Sequence, residues 1–324
     1  MPQVSGRAEE SRSPRAVAVI VTWNRRDLLL ESLAGVSVQS RRPDAVIVVD
    51  NASTDGTPAA VRSGFPDVKL ATLDVNYGGA GGFAYGMALA LSDDADVIWL
   101  MDDDTVPAPD ALQALLAARD RHPGGPPALI ASRVLWTDGR EHPMNTPRMK
   151  PFATAAERRA AEVVGCIPIR SASFVSILVE AADCRRRGLP RADFFLWNDD
   201  FEFTTRLLRG RAGLLCPASV VTHKTTTFGG TEADPGDRFF YEVRNKIWTL
   251  RTSSLALPER VLYGGSTLRR WIRTYARSHQ RRKLWAALGR GLAAGVRTTP
   301  RPNDQVLPAE DPAVSALLAG KLRP

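Results

Sequence analysis

The sequence predicts an α/β fold with a mostly parallel sheet flanked by helices, and three observations carry that expectation. Short β-branched runs alternate with helix-like segments through roughly the first 130 residues, the pattern of repeated βαβ units. The polar and acidic residues that stand out follow directly after those runs, where open parallel sheets bind their ligands. Toward the carboxyl end the apolar spacing becomes helical and basic residues fill the gaps, which adds a helical basic extension.

Each element has its own reason. Ala16–Thr22 (AVAVIVT) and Ala45–Asp50 (AVIVVD) are continuous β-branched runs of strand length, as expected for strands buried on both faces. Lys69–Leu73 and Asp96–Met101 (DVIWLM) continue the series, with helix-like segments near Asp27–Val38, Thr57–Arg62, Gly81–Leu91 and Pro109–Arg121. Residues 133–165, with the turn-rich WTDGREHPMNTP, read as a long loop over a site. Ser173–Val179 reads as a further strand, and Leu207–Val221 as a helix end, a turn and a strand. From Leu268 to Leu288 the residues Leu268, Trp271, Ile272 and Tyr275 follow i, i+3, i+4, i+7 spacing, which makes a cationic amphipathic helix.

Composition narrows the class. A chain of 324 residues holds one large α/β domain and a small appendage. Its net charge of +8 is uneven: between Glu259 and Asp304 no acid occurs, while nine Arg and Lys residues lie between Arg269 and Arg297. Such a segment suits an anionic membrane surface; no nucleic-acid motif accompanies it. The three cysteines are odd in number and far apart. They fit neither a disulfide framework nor zinc spacing, which favours a reducing cytoplasm. Residues 1–15 are polar and read as a loose tail, and no run reaches the length of a membrane span.

The sharpest chemical signal is Asp102-Asp103-Asp104, directly after DVIWLM. Three adjacent carboxylates repel one another unless they are solvated or neutralised by a cation, and carboxylates are the ligands Mg²⁺ and Mn²⁺ prefer. A solvated acidic turn is the plainer alternative. Asn76-Tyr77-Gly78-Gly79-Ala80-Gly81-Gly82 opens a helix, where glycines allow close backbone approach and the helix end favours an anion. Thr22 and Asn24 follow the first strand. Asp50 follows the second, placed to accept a hydrogen bond from a base or ribose, while Thr54 or Asp55 caps the next helix. In Trp197-Asn198-Asp199-Asp200-Phe201-Glu202 the helix dipole accounts for acids at a helix start, yet nearby aromatics would desolvate one of them and make it a general base. His223 lies beyond a later strand, where it is either structural or a ligand.

Taken in order, VIVTWNR, VVDNASTDGT, NYGGAGGF, WLMDDD, WNDDFEF and VVTH resemble the family-2 glycosyltransferases of the GT-A, Rossmann-like fold, across roughly residues 16–250. NYGGAGGF, the triple Asp and FFYEVRN (239–245) look closest to the actinobacterial galactofuranosyltransferases of cell-wall galactan synthesis; related rhamnosyltransferases share much of the pattern. The resemblance implies an inverting, metal-dependent transfer of a sugar from a nucleotide diphosphate-sugar. The donor would be UDP-galactofuranose or, alternatively, dTDP-rhamnose. The acceptor would be a glycan or lipid-linked glycan. It implies that Asp102 and Asp104 bridge Mn²⁺ or Mg²⁺ to the donor diphosphate, with His223 a further ligand. Asp200 would be the base, with Asp199 the alternative. Thr22, Asn24, Asp50, Asn76, Gly79, Asp102 and Asp103 would hold the nucleotide-sugar. The expected organisation is a 1–15 tail, a catalytic domain over 16–250, a helical membrane-associating region over 251–300 at the inner face of the cell membrane, and a 301–324 tail.

A sugar nucleotidyltransferase shares the sheet, carboxylates and metal but needs a basic glycine-rich loop after the first strand, and VTWNRRDLLL has no glycine. A non-catalytic binding protein accounts for the basic segment but not for acids aligned at strand ends.

Overall fold

The structure, a computed structural model, describes residues 13–228, 235–252 and 254–321. The chain opens with β1 (Ala16–Thr22), α1 (Arg26–Ser37), β2 (Ala45–Asp50), α2 (Thr57–Gly64), β3 (Lys69–Thr72), α3 (Gly78–Ser92) and β4 (Val97–Asp102). It continues through β5 (Thr105–Pro107), α4 (Ala111–Arg121), β6 (Leu129–Leu135), β7 (Arg148–Met149), α5 (Ala155–Val163), β8 (Ile167–Ser171), β9 (Ser176–Glu180), α6 (Ala181–Arg187), α7 (Asp199–Leu207) and β10 (Gly213–His223). Four helices follow: α8 (Phe239–Arg251), α9 (Leu257–Arg277), α10 (Arg281–Arg297) and α11 (Pro312–Leu318).

The strands form one sheet in the order β3-β2-β1-β4-β9-β6-β10-β8-β7, with β5 paired to β10. The half β3-β2-β1-β4 is wholly parallel, so its carboxyl ends lie along one edge. Two-residue alternation explains why both faces are apolar. Val17, Val19 and Val21 of β1 pack with Phe83 and Met87 of α3. Ala16, Ala18 and Ile20 pack with Leu29 and Leu33 of α1 and Leu112 of α4. A strand covered on both sides must be apolar at every position, which is what AVAVIVT supplies.

Several expectations are corrected. The segment 133–165 is not one loop: it carries β7 and α5, whose start is a capping box between Thr154 and Glu157. Residues 1–12 lie outside the described residues, but Arg15, expected in the tail, bonds Asp93 and Asp96. The segment 301–324 is not a tail as far as it is described. Leu307, Val314 and Leu318 join the core that includes α3, and Asn303 bonds Ala192 and Pro190. The amphipathic stretch is two helices, and α10 folds back onto α8. There Leu284 is buried among Phe239, Val243 and Ala287. Gly291 and Gly295 permit this approach, since added Cβ atoms would meet Val243 and Ile247 side chains at 2.8 Å.

Removing buried methylenes costs transfer energy and leaves a cavity. Leu318→Ala is expected to destabilise the protein by about 2–4 kcal/mol, read from the urea midpoint; an unchanged midpoint would show that the terminal segment adds nothing to the core.

Candidate active site

The parallel register sets Thr22 beside Asp50 and Val21 beside Asp102, which brings the chemical residues of three strands to one edge. Thr22 Oγ1 donates to Asp103 Oδ2 at 2.8 Å. Arg25 reaches both Asp103 (3.2 Å) and Asp104 (2.6 Å). β10 delivers His223 to the same place, with Nε2 2.9 Å from Asp104 Oδ1. That contact is close but poorly aligned: Asp104 Oδ1 is buried with no hydrogen-bond partner among the described residues. Asp102, Asp104 and His223 each offer one ligand atom, all within 4.8 Å of one another. His223 Nδ1 lies 2.8 Å from Asn145 Oδ1. With Nδ1–H donating there, loss of the Nε2 proton would leave its lone pair toward the carboxylates.

The electrostatics suit a cation. One edge of Asp102 meets solvent, but protein surrounds its carboxyl; desolvation, then the charge of Asp104, push it up to about 7 against the pull of His223. Desolvation likewise lifts Asp103 to about 6, opposed by Arg25. Asp104 is also desolvated, but His223 and Arg25 overcome this and hold it below the usual range. Burial disfavours a charged His223, and Asp104 and Asp102 outweigh that and raise it. An oxygen–nitrogen donor set of two buried carboxyl groups and an imidazole nitrogen converging on one point fits Mn²⁺ or Mg²⁺ chemistry.

Beside it, Asp50 is fully buried. Its Oδ2 accepts from Ser53 N at 3.1 Å, while Oδ1 has no partner among the described residues. An orphaned buried carboxylate oxygen is costly unless a ligand donates to it. Asn24 and Asn76 are placed differently from expectation. Asn24 Oδ1 accepts from Thr54 N at 2.7 Å and ties two loops together. Asn76 Oδ1 accepts from Gly78 N at 2.7 Å at the start of α3. Asp55, not Thr54, secures the start of α2, through Thr57 N and Oγ1.

The glycines correct the sequence reading. A Cβ on Gly82 would lie 2.4 Å from Val21 Cγ1, one on Gly81 2.5 Å from Tyr77 Cβ, and one on Gly78 2.0 Å from Phe195 O. These glycines let α3 press against β1 and the 194–198 loop and form no ligand cradle. Gly79 alone among them faces open space.

The acids of α7 are aimed by a strained loop. Phe195, Trp197 and Asn198 all adopt positive φ near 65°, which non-glycine residues hold only when their surroundings enforce it. α8 supplies that restraint. Asn245 Nδ2 donates to the carbonyls of Phe194, Leu196 and Trp197 at 2.8–2.9 Å, and Asn198 Nδ2 donates to Glu242 Oε2 at 2.7 Å. The buried Glu202 is engaged by Arg206 and Ser254, which leaves Asp199 and Asp200. Both are raised by desolvation; Asp199 is raised further by the charges of Asp200 and Asp102. Asp200 lines a cavity of about 700 Å³. Its Oδ1 accepts from Phe201 N at 2.6 Å.

Sequence reasoning missed Arg25, Asn145, Glu242 and Asn245 as individual contributors. Arg25, Glu242 and Asn245 lay within quoted motifs, and Asn145 within the turn-rich stretch read as a loop over a site, but nothing singled out these residues individually.

A parallel sheet that gathers an acidic metal-ligand cluster and an orphaned carboxylate at its edge, with further acids across a cavity, defines a glycosyltransferase of the GT-A class. Residues 17–179 match the family described as Glycosyl transferase family 2, and the chain belongs to that family. It is 32% identical over 259 residues to galactofuranosyltransferase GlfT1 of Mycobacterium tuberculosis (strain ATCC 25618 / H37Rv), covering 74% of this chain and 83% of that one. The N-acetylglucosaminyl-diphospho-decaprenol L-rhamnosyltransferase of the same strain is 28% identical over 321 residues, covering 84% and 97%. Among solved structures, S. aureus TarS 1-349 in complex with UDP superposes with a TM-score of 0.61 at 14% identity, covering 95% of this chain and 88% of that one.

The raised Asp102 makes a signed prediction. Its folded value is near 7 against 3.8 ordinarily, so the metal-free fold loses stability as pH rises through that window. Metal-free Asp102→Asn is expected to be more stable than the parent at pH 8 by about 1–2 kcal/mol, discounted for partial exposure, with the gain fading at pH 4. Denaturation at the two pH values checks this; a destabilised variant at pH 8 contradicts it.

Proposed function

We propose that this glycosyltransferase inverts the donor configuration, with galactofuranose from UDP-galactofuranose as the donor sugar and a hydroxyl of a glycan or glycolipid as acceptor. The similarity to a galactofuranosyltransferase supports that donor; the rhamnosyltransferase relative favours dTDP-rhamnose as the second reading. The single observation that carries the mechanism is that the ligand atoms of Asp102, Asp104 and His223 converge within 4.8 Å of one another, while Asp200, outside that group, is raised by desolvation and lines the neighbouring cavity.

Asp102, Asp104 and His223 would hold Mn²⁺ or Mg²⁺. The bound cation supplies Lewis-acid stabilisation of the leaving diphosphate. Thr22 and Arg25 fix Asp103 and Asp104, so the cluster is preorganised. Asp50 Oδ1 offers its free lone pairs to a base imide or ribose hydroxyl, and Gly79 leaves room at the start of α3. Asp103 takes part by anchoring the edge, and Asn24 and Asn76 shape the loops around the nucleotide. With Oδ1 of Asp200 engaged by Phe201 N, Oδ2 takes the proton of the acceptor hydroxyl as that oxygen attacks the donor carbon from the side opposite the diphosphate. Asp199, facing Asp102, serves the donor side.

Attachment to the inner face of a membrane belongs to the same reading. Among the described residues no helix is long and apolar enough to cross a bilayer. Yet α9 turns an apolar stripe outward: Leu257 (73% exposed), Val261, Leu268, Ile272 (61%) and Tyr275, continued on α10 by Trp285 (67%). The Tyr275 and Trp285 rings sit 6.2 Å apart and join the two stripes. Within the stretch Leu268–Leu288 not every apolar residue faces outward: Leu284 is buried in the α8–α10 contact, and Trp271 is turned inward, its Nε1 donating to Glu242 at 3.1 Å. An exposed apolar stripe flanked by cations suits an anionic bilayer surface.

Asp200→Asn is expected to keep UDP binding and lose roughly 10²–10⁴-fold in turnover; if Asp199→Asn shows that signature and Asp200→Asn does not, the base is Asp199. Chelator and Asp104→Ala should each abolish UDP release from UDP-galactofuranose, and undiminished turnover in chelator contradicts the metal assignment. In liposome sedimentation, Ile272→Asp/Trp285→Asp should lose binding to phosphatidylglycerol vesicles while staying folded. Equal sedimentation with the parent sinks the docking surface.

A further inference from the structure

Lys246 of α8 is a buried charge without a counter-ion. The residue is only 3% exposed, and among the described residues no hydrogen bond or ion pair engages its ammonium. The nitrogen lies 4.2 Å from the centre of the Phe201 ring, and the side chain lines the cavity that Asp200 also lines. Burying a cation with no opposite charge close by is costly.

Two carboxylates line that cavity, Glu242 and Asp200, and only one is open to Lys246. Glu242 sits one turn earlier on α8 but is already engaged: Oε2 accepts from Asn198 Nδ2, and Oε1 accepts from Arg270 and from Trp271 Nε1. Asp200 accepts from Phe201 N at Oδ1, which leaves Oδ2. The ring beneath the ammonium belongs to the residue that follows Asp200, so the first turn of α7 places both the cation's seat and the carboxylate.

The other charges that face this pair are Asp199 on α7, Arg148 on β7 and Arg270 on α9. Arg273, Arg277 and His279 complete the charged lining. Arg270 is paired with Glu242. Arg148 is exposed, so water and salt screen it, whereas the field of a buried ammonium is screened far less. Desolvation lowers Lys246 to about 8, with Glu242 opposing it, so the group is still a cation at neutral pH. Desolvation raises Asp200, and the Phe201 N–H, then the charges of Lys246 and Arg148, pull it back.

We propose that Lys246 is a positioning residue for Asp200: its buried ammonium, held over the Phe201 ring, favours the ionised carboxylate that takes the acceptor's proton. This deepens the proposed reaction and rests on its assignment of Asp200 as the base. A desolvated carboxyl group tends to keep its own proton, and while it does so it cannot act as a base. A cation fixed nearby reverses that tendency without touching the reacting atoms.

The test is the pH dependence of UDP release from UDP-galactofuranose, with water as acceptor and Mg²⁺ saturating, so that protonation of the metal cluster does not set the profile. Turnover falls on the acid side as Asp200 takes up a proton. Removing a neighbouring positive charge makes that uptake easier, so Lys246→Met is expected to move the acid limb to higher pH by about one unit or more. The variant is then roughly tenfold slower than the parent below the limb and equal to it above. Lys246→Arg restores the charge and is expected to bring the limb back. UDP binding in Mn²⁺ should be the same in parent and variants, which controls for folding. A limb that stays in place in Lys246→Met, or a loss of equal size at every pH, overturns the proposal, because a purely structural lysine would lower turnover without moving the limb. An Asp200→Asn protein with parental turnover would sink the base assignment itself. A slow Asp200→Asn protein beside an unmoved limb in Lys246→Met sinks only the role of Lys246.

Discussion

Like charges crowded at one strand end are the constraint on which the rest of the site depends. Two unit charges 4 Å apart interact by roughly 4 kcal/mol at an effective dielectric of 20. Asp102, Asp103 and Asp104 occupy such a space with Asp199 nearby. Arg25 and His223 offset part of that repulsion, and Thr22 fixes Asp103, yet Asp102 and Asp103 still hold their protons well above the usual carboxylate range. The fold tolerates this arrangement because β1 and β4 are rigid, fully buried strands whose carboxyl ends cannot spread apart. The same repulsion that costs stability in the metal-free protein becomes affinity once a cation is present.

The second constraint is directional. In the proposed reaction Asp200 faces an acceptor while Asp199, its neighbour in sequence, faces the donor. A helix start aims consecutive side chains about 100° apart, and three positive-φ residues in the preceding loop set where that start falls. α8 maintains the strain by donating Asn245 and accepting Asn198. Thus FFYEVRN, through Glu242 and Asn245, governs the geometry of the α7 acids. The adjoining helix α9 divides its faces, with Arg270, Arg273 and Arg277 lining the cavity and Leu257, Val261, Leu268 and Ile272 exposed.

Much of this was legible in the sequence where the physics is local. β1 and β2 begin and end where their β-branched runs do, because continuous apolar strands leave no other burial pattern. The acidic triplet, His223 and the α7 acids were visible as polar residues after apolar runs, and their placement at one edge follows from parallel register. What failed was non-local. The glycines after Asn76 looked like a ligand cradle, but Gly81 and Gly82 answer to Tyr77 and Val21. The stretch Leu268–Leu288 looked like one amphipathic helix, but it breaks into α9 and α10, and α10 turns back on α8 and buries Leu284. Residues 301–321 lack a long apolar run, and their burial comes from packing of Leu307, Val314 and Leu318 with the core that includes α3. Asn145 and Asn245 act on partners 78 and about 50 residues away, a separation that single-sequence patterns do not encode.

The central claim is that one divalent cation sits between Asp102, Asp104 and His223 on the donor side, apart from Asp200. Anomalous diffraction from crystals grown with Mn²⁺ and UDP tests it directly. The account predicts a single strong manganese peak within bonding distance of an oxygen of Asp102, an oxygen of Asp104 and Nε2 of His223, with the UDP diphosphate completing the coordination and Asp200 outside it. A peak coordinated by Asp199 or Asp200 in place of His223, or bound UDP with no metal at the triplet, would contradict it.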